Sequence, residues 1–226
     1  MLPSKKSSRT VAFVIAVGLA ASQSTAALAD GPGRGLTAQF ERDYLAQVID
    51  HHFSALRMTE LAAGTDTQRD PAVNNPQEGT APTPGATASP AKATDGQIRS
   101  MARQANRAQR EEIAKAQKRM RDWYGNDHQP SLTPEGQQGI HILEQAPTGT
   151  AFNQAFLEVF SSHHYSILAP SVDCLVKSDL AHDDLRRTCE NVVVTQKNQI
   201  NDMRQMLCKM FSICDFLPGG IRGQRS

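Results

Sequence analysis

One amphipathic helical pattern occurs twice in this chain, and the repetition limits the folds that the chain can adopt. Nine positions recur at a spacing of 112 residues. The first copy comprises Phe40, Tyr44, Leu45, Val48, His51, His52, Phe53, Ser54 and Leu56, and the second comprises Phe152, Phe156, Leu157, Phe160, His163, His164, Tyr165, Ser166 and Leu168. At about 100° per residue, His52 and His164 each fall at the centre of the apolar stripe. Because a buried imidazole needs partners for its ring nitrogens, the pattern predicts a paired polar site inside a helical protein.

A second pair of helices is predicted by another repeat, in which eight positions recur at a spacing of 87 residues. The first copy comprises Ile98, Ala102, Ala105, Gln109, Ile113, Ala116, Met120 and Tyr124, and the second comprises Leu185, Cys189, Val192, Gln196, Ile200, Met203, Leu207 and Phe211. Gln109 and Gln196 lie mid-stripe, as the histidines do in their helices. An αα-hairpin cannot bury such a stripe alone, so the two hairpins predict an all-α four-helix bundle.

The two repeats divide the chain into regions. Hairpin one is expected over residues 37–125, a connector over 126–150 and hairpin two over 151–216. Residues 30–216 then form one duplicated bundle, which is long enough for a sizeable core. A flexible tail is expected at 217–226.

Three local signals interrupt the helical pattern. Residues 64–95 are rich in Pro, Gly, Ala and Thr and contain Val73 alone among large aliphatic or aromatic residues, so a disordered loop is expected there. Thr133 followed by Pro134 predicts the start of a short helix that would cap one end of the bundle. Pro170 falls inside the third helix and should kink it or loosen its last turns.

The N-terminal residues 1–29 have the layout of a secretory signal peptide. Three basic residues precede the apolar run from Val11 to Ala21, and Ala27-Leu28-Ala29 resembles a cleavage site, so a mature chain from Asp30 is expected in the periplasm or outside the cell. The apolar run is too short to span a bilayer, and no membrane segment is expected after cleavage. Removal of the leader changes the formal charge from +1 to 21 − 23 = −2, which does not favour a nucleic-acid partner.

The four cysteines, an even number in an exported chain, predict disulfides, and three pairings are possible. A bridge from Cys174 to Cys189 across the turn of hairpin two is the first choice, and it leaves Cys208 to pair with Cys214.

The histidines and methionines are candidate ligands for a metal ion. Imidazole suits copper and zinc, while thioethers select Cu(I), so an exported protein with both groups has a chemical rationale for binding copper. His51 and Met58 lie about 20° apart on one helix edge and could face one ion. The full candidate set is His51, His52, Met58, His163, His164, Met203 and Met206.

Each candidate also has a plain structural interpretation. His52 and His164 could form a buried hydrogen-bond network with Gln109 and Gln196, which would make the protein a structural or interaction bundle without metal. The methionines could simply fill the core. A third hypothesis is a small-ligand binder that uses residues 64–95 as a lid. His128, His141 and His182 lie outside the repeat and are expected to be solvated.

The chain resembles the ferritin-like proteins of the family called domain of unknown function 305. The resemblance rests on Asp50-His51-His52 with Ala55, Met58 and Ala62, and on a second helix with Ala102, Gln109, Glu112-Ile113, Met120 and Trp123. It covers roughly Leu36 to Phe216, apparently in two tandem copies, and the second copy departs from it at Ser162, Pro170 and Cys189. The resemblance implies a ferritin-like bundle outside the cytoplasm, and some relatives bind copper.

Motifs of the common enzyme classes do not occur in the sequence. A ferritin-type di-iron centre needs Glu-x-x-His on two helices, and this chain contains no such motif. There is also no Gly-x-Ser-x-Gly, His-Glu-x-x-His or phosphate-binding loop. The sequence therefore predicts an exported binding protein for copper rather than an enzyme, and it does not identify a protein partner.

Overall fold

The structure, a computed structural model, describes residues 35–66 and 80–219, and the proposed leader at 1–29 lies outside them. The described residues form an all-α fold, as predicted. Its helices are α1 (Gly35–Ala63), α2 (Gly96–Tyr124), α3 (Pro134–Gln145), α4 (Thr150–Ser166), α5 (Leu168–Val176) and α6 (Asp183–Phe211). None of these helices is long and apolar enough to cross a membrane.

Local sequence signals set several helix ends. The Asp95 side chain accepts hydrogen bonds from two backbone N–H groups of the first turn of α2. Thr133 caps α3 in the same way, with Pro134 in the first turn as predicted. Helices α2 and α6 both stop at a residue in the left-handed conformation, Gly125 at φ 61° and Ser212 at φ 58°. These two positions are 87 residues apart, so the helical repeat extends to the way each helix ends.

The third long helix of the bundle is broken close to Pro170. Helix α4 ends at Ser166, Ile167 lies in a turn, and α5 begins at Leu168. Because proline has no N–H to donate to the carbonyl four residues earlier, the helix cannot continue regularly through Ser166. The break is the interruption that the sequence predicted.

Two apolar clusters occupy the two ends of the bundle. The α3 cluster joins the C-terminal half of α1 to the N-terminal halves of α2 and α4 and to the end of α6; among its members are Met58, Phe156, Phe160, Met203 and Leu207. The α5 cluster joins the N-terminal half of α1 to α5, to the end of α2 and to the start of α6; among its members are Leu45, Ile49, Met120, Leu185 and Val192. Helices α1 and α4 therefore run in opposite directions.

Helix α3 lies against the flank of α1 and α4, which corrects the expectation that it caps one end of the bundle. At Gly136 a Cβ atom would stand 2.4 Å from the Ser54 side chain, so only glycine permits this approach. Ser54 lies well inside α1, which places α3 beside the middle of that helix.

The described part of the predicted loop at 64–95 is packed, which corrects the expectation of disorder for residues 80–95. Residues 67–79 lie outside the described residues. Thr83 is buried and its hydroxyl donates to the buried carboxylate of Glu60 on α1.

The same segment is fixed to three other parts of the molecule. The guanidinium group of Arg110 on α2 donates to the Ala81 carbonyl at 2.5 Å. The backbone N–H of Lys92 donates to the Leu61 carbonyl at 2.9 Å, and its ammonium group donates to the Leu143 carbonyl of α3 at 2.8 Å. Composition predicted disorder because the segment is poor in apolar residues, but polar contacts replace apolar burial here.

Both predicted disulfides are present. Cys174 of α5 is bonded to Cys189 of α6, with their Cα atoms 5.9 Å apart, and Cys208 is bonded to Cys214 just beyond α6. The first bridge is buried in the α5 cluster and the second closes the chain after its last helix. At the predicted tail, the described residues 217–219 reach Tyr165, whose ring would lie 3.0 Å from a Cβ atom on Gly219.

Candidate functional site

Four histidines form a polar layer between the two apolar clusters. We call His51, His52, His163 and His164 the histidine layer; all four are buried, with exposed fractions of 4%, 0%, 6% and 0%. The rings of His51 and His163 stack in parallel with their centroids 3.9 Å apart. Helices α1 and α4 therefore contact each other at the repeated histidines, and the paired polar site that the repeat predicted is present.

The second histidine of each pair has a polar partner on the neighbouring helix of its own hairpin. His52 Nε2 lies 2.5 Å from Glu112 Oε2 on α2, and His164 Nε2 lies 2.6 Å from Gln199 Oε1 on α6. Glu112 and Gln199 are 87 residues apart, the spacing of the second repeat. Equivalent histidines thus have equivalent partners, a carboxylate in one half and an amide in the other.

The partners that the sequence suggested, Gln109 and Gln196, lie one helical turn earlier and do not bond to the histidines. A helical wheel gives the direction of a side chain but not its height along the neighbouring helix, so the wheel missed Glu112 and Gln199. Both glutamines are nonetheless buried, with exposed fractions of 2% and 1%.

Several buried polar atoms of this region have no hydrogen-bond partner among the described residues. They are His51 Nε2, His52 Nδ1, both amide atoms of Gln109 and Gln196 Oε1. Each unsatisfied buried polar group costs about 1–3 kcal/mol, so such a concentration is unusual for a purely structural core. Buried polar atoms of this kind are normally satisfied by ordered water or by a bound group.

Burial favours the neutral imidazole at three positions of the histidine layer, His51, His163 and His164. Burial lowers the pKa of His163 and of His164 from 6.5 to about 3, and the hydrogen bond to the His51 carbonyl only partly offsets it for His163. Burial, together with the three neighbouring histidines, lowers the pKa of His51 well below its ordinary value. A neutral imidazole keeps a lone pair on one ring nitrogen and is the form that ligates metals.

The candidate methionines lie apart from the layer, in the α3 cluster. Met58 packs against α3, where its methyl group would touch a Cβ atom on Gly139, and Met203 and Met206 belong to the same cluster on α6. The structure thus brings the four histidines together and places the three methionines in one apolar cluster next to them. Among residues 35–66 and 80–219, no three His, Cys, Asp or Glu side chains form a group that could hold one metal ion.

The other histidines were expected to be solvated, and two of them have defined partners. His128 Nε2 lies 2.9 Å from Asp50 Oδ1 and joins the connector to α1. His182 stacks on Trp123, with ring centroids 4.0 Å apart, and its Nδ1 lies 2.6 Å from a carboxylate oxygen of Glu41. His141 is exposed, as expected.

The Glu41 contact has a counterpart in the other half. Glu41 accepts the backbone N–H of Ala181 before α6 at 2.7 Å, and Asn153 accepts the backbone N–H of Thr94 before α2 at 3.1 Å. These acceptors are separated by 112 residues and these donors by 87. Sequence reasoning missed both contacts, although the two repeat spacings could have revealed them.

Comparison with known proteins identifies a family. Residues 85–207 match the family described as Domain of unknown function (DUF305). The matched range includes His163 and His164 but begins after α1 and its two histidines. Comparison with curated proteins and with solved structures finds no match. Because the match extends over more than half of the sequence, the chain belongs to the DUF305 family.

Proposed function

We propose that this protein is an exported metal-binding protein whose ion is copper, which it sequesters or passes on. The observation that carries the proposal is the histidine layer, in which four buried imidazoles come together with unpartnered ring nitrogens and amide atoms. In this proposal His51, His52, His163 and His164 supply the ligands. The thioethers of Met58, Met203 and Met206 supply soft ligands in the adjoining cluster.

The donor set fits copper better than zinc. A structural zinc site takes all four ligands from Cys, His, Asp and Glu, whereas the cluster next to the histidines offers the thioethers of methionine, which zinc sites do not use. Imidazole and thioether are together the ligands that suit copper in its reduced state. All four cysteines are in disulfides, so no thiolate competes for the ion.

Two observations support export. The signal-peptide pattern at residues 1–29 precedes a chain whose four cysteines form two disulfides. Disulfides persist in oxidising compartments and are rare in the cytosol. A copper-binding bundle outside the cytoplasm would bind the ion before it reaches reduced thiols inside the cell.

A second candidate function is a structural or interaction bundle without metal. It is favoured by the hydrogen bonds that already occupy one nitrogen each of His52, His163 and His164. In this candidate the layer fixes the register of the two hairpins, since a buried polar network penalises other packings. The two candidates differ in what metal ions do to stability.

The test uses the chain from Asp30, purified with its disulfides formed, and follows thermal unfolding with and without Cu(I), Cu(II) and Zn(II). We expect near-stoichiometric copper to raise Tm by several degrees, because a ligand at 100 times its Kd stabilises the folded state by about 2.7 kcal/mol. His51→Ala combined with His163→Ala should abolish the gain. His141→Ala, at an exposed histidine, should keep it.

Two outcomes contradict the metal proposal. One is a chain that no ion stabilises but that loses much stability on His52→Ala, which is the result expected for the structural network. The other is a layer variant that keeps the full copper-dependent gain, which would place the ion elsewhere.

A further inference from the structure

Two pockets lie between α2 and α6, and we call them the wide half and the narrow half of the α2–α6 groove. The wide half, of about 480 Å³, is lined by residues including Met101, Gln104, Gln199, Asp202 and Met206. The narrow half, of about 100 Å³, is lined by residues including Glu112, Lys115, Arg119, Thr188 and Asn191. The five residues named for one half pair at a spacing of 87 with the five named for the other, so the two halves overlap equivalent places in the two repeats.

Each half of the groove leads to one buried histidine through a single side chain. Gln199 lines the wide half and also bonds to His164 Nε2 at 2.6 Å. Glu112 lines the narrow half and also bonds to His52 Nε2 at 2.5 Å. His52 and His164 have no exposed surface themselves, so rotation of one partner side chain is the shortest route from solvent to either ring.

The two halves differ in what they offer a cation. The narrow half contains one carboxylate, Glu112, and two cations, Lys115 and Arg119. The wide half contains Asp202 and Lys209, which balance in charge, and the thioethers of Met101 and Met206. Met206 occupies the position equivalent to Arg119, so a soft ligand replaces a positive charge at the same place in the groove.

We propose that the wide half of the α2–α6 groove is the entrance through which Cu(I) reaches the histidine layer. Met101 and Met206 bind the ion first, and Gln199 turns aside to expose His164. The inference rests on the proposed function and adds the route that the copper ion takes from solvent to the histidines. Thioethers select Cu(I) over divalent ions, which makes the entrance selective.

The transfer is an exchange of ligands without oxidation or reduction. The ion leaves two thioether sulfurs and gains the lone pair of His164 Nε2. His164 Nε2 faces the accepting oxygen of Gln199 and so carries the ring proton before binding; when Gln199 turns aside and Nε2 ligates the ion, that proton moves to Nδ1 and the ring stays neutral.

The experiment follows Cu(I) uptake by the disulfide-bonded chain from Asp30, mixed rapidly with Cu(I) held by a chromogenic chelator. In Met101→Leu combined with Met206→Leu, which conserves volume, we expect uptake to slow by about tenfold or more. Met101→Leu alone, at a residue outside the ligand set, should slow uptake while the final gain in Tm stays unchanged. Gln199→Ala should speed uptake. Arg119→Leu is the matched control in the narrow half and should not slow it.

The outcomes separate the entrance from the function. Uptake that is equally fast in the double methionine variant, or that slows instead in Arg119→Leu, overturns the entrance while the copper proposal stands. A parent protein that takes up no Cu(I) and gains no stability refutes the proposed function, and the entrance with it.

Discussion

The two hairpins make the same contacts with different chemistry. Where hairpin one places a carboxylate, Glu41 or Glu112, hairpin two places an amide acceptor, Asn153 or Gln199. The acceptor oxygen is kept at each position and the charge is not. The fold therefore needs a hydrogen-bond acceptor oxygen at these two positions in each hairpin. The negative charge on that acceptor is present in hairpin one alone.

The two hairpins also differ in their buried apolar side chains, which are larger in hairpin two. Phe152, Phe156 and Phe160 of hairpin two are completely buried and stack in a row. Their equivalents in hairpin one are Phe40, Tyr44 and Val48, and of these Phe40 is only partly buried. Hairpin two thus supplies most of the aromatic core, and hairpin one supplies the completely buried carboxylates of Glu41 and Glu60.

The largest expected effect tests this difference in the core. Phe160→Ala should lower the free energy of unfolding by about 3–5 kcal/mol, because it removes a fully buried ring from the α3 cluster. Val48→Ala, at the equivalent position, removes only two methyl groups and should cost about half as much. Urea unfolding measures the loss in the free energy of unfolding for both variants. Equal losses would show that the halves contribute equally to the core.

A smaller effect concerns pH in the metal-free protein. His163 and His164 protonate near pH 3 when folded but near 6.5 when unfolded. Below pH 6.5 the unfolded state binds more protons, so stability falls as pH falls. The loss should be about 2 kcal/mol for each histidine at pH 5.

Urea unfolding at pH 7 and pH 5 measures this loss. His164→Gln should reduce the difference in stability between pH 7 and pH 5 by the contribution of one histidine. His141→Gln, at an exposed position, should leave the difference unchanged. A parent protein that is equally stable at both pH values would contradict neutral burial of the layer.

The smallest effect comes from exchanging the two histidine partners. Gln199→Glu places a carboxylate beside His164, so the pKa of His164 should rise from about 3, which NMR titration of the ring measures. Glu112→Gln gives hairpin one the pairing of hairpin two and should change stability by less than about 1 kcal/mol. A loss of several kcal/mol in Glu112→Gln would show that the layer depends on the charge.

Much of the helical fold could be predicted because it depends on local signals and on periodicity. The caps at Thr133 and Gly125, the break before Pro170 and the central position of His52 and His164 all follow from residue type and spacing. The pairing of Cys174 with Cys189 followed from the short turn between two helices. The ferritin-like detail and the tandem copies of the family remain predictions.

The remaining features depend on how far a side chain reaches along a neighbouring element. His52 bonds to Glu112 rather than to Gln109 because of how far α2 is shifted along α1. The spacing of residues in the sequence does not give that shift. The packing of residues 80–95 depends on buried hydroxyl and guanidinium contacts, such as those of Thr83 and Arg110, that composition does not reveal. The set of metal ligands taken from the sequence remains a prediction. Its methionines lie in the α3 cluster, next to the histidine layer.

Both disulfides lie in hairpin two, and this bears on the order in which the molecule opens. The positions equivalent to Cys174 and Cys189 in hairpin one are Ala62 and Ala102. A bridge that spans 15 residues restricts the unfolded chain by about 3 kcal/mol, whereas hairpin one closes its longer connection without covalent help. Amide hydrogens of α1 and α2 should therefore exchange with solvent before those of α6. In an oxidising compartment, hairpin two would persist as a preformed surface on which hairpin one refolds.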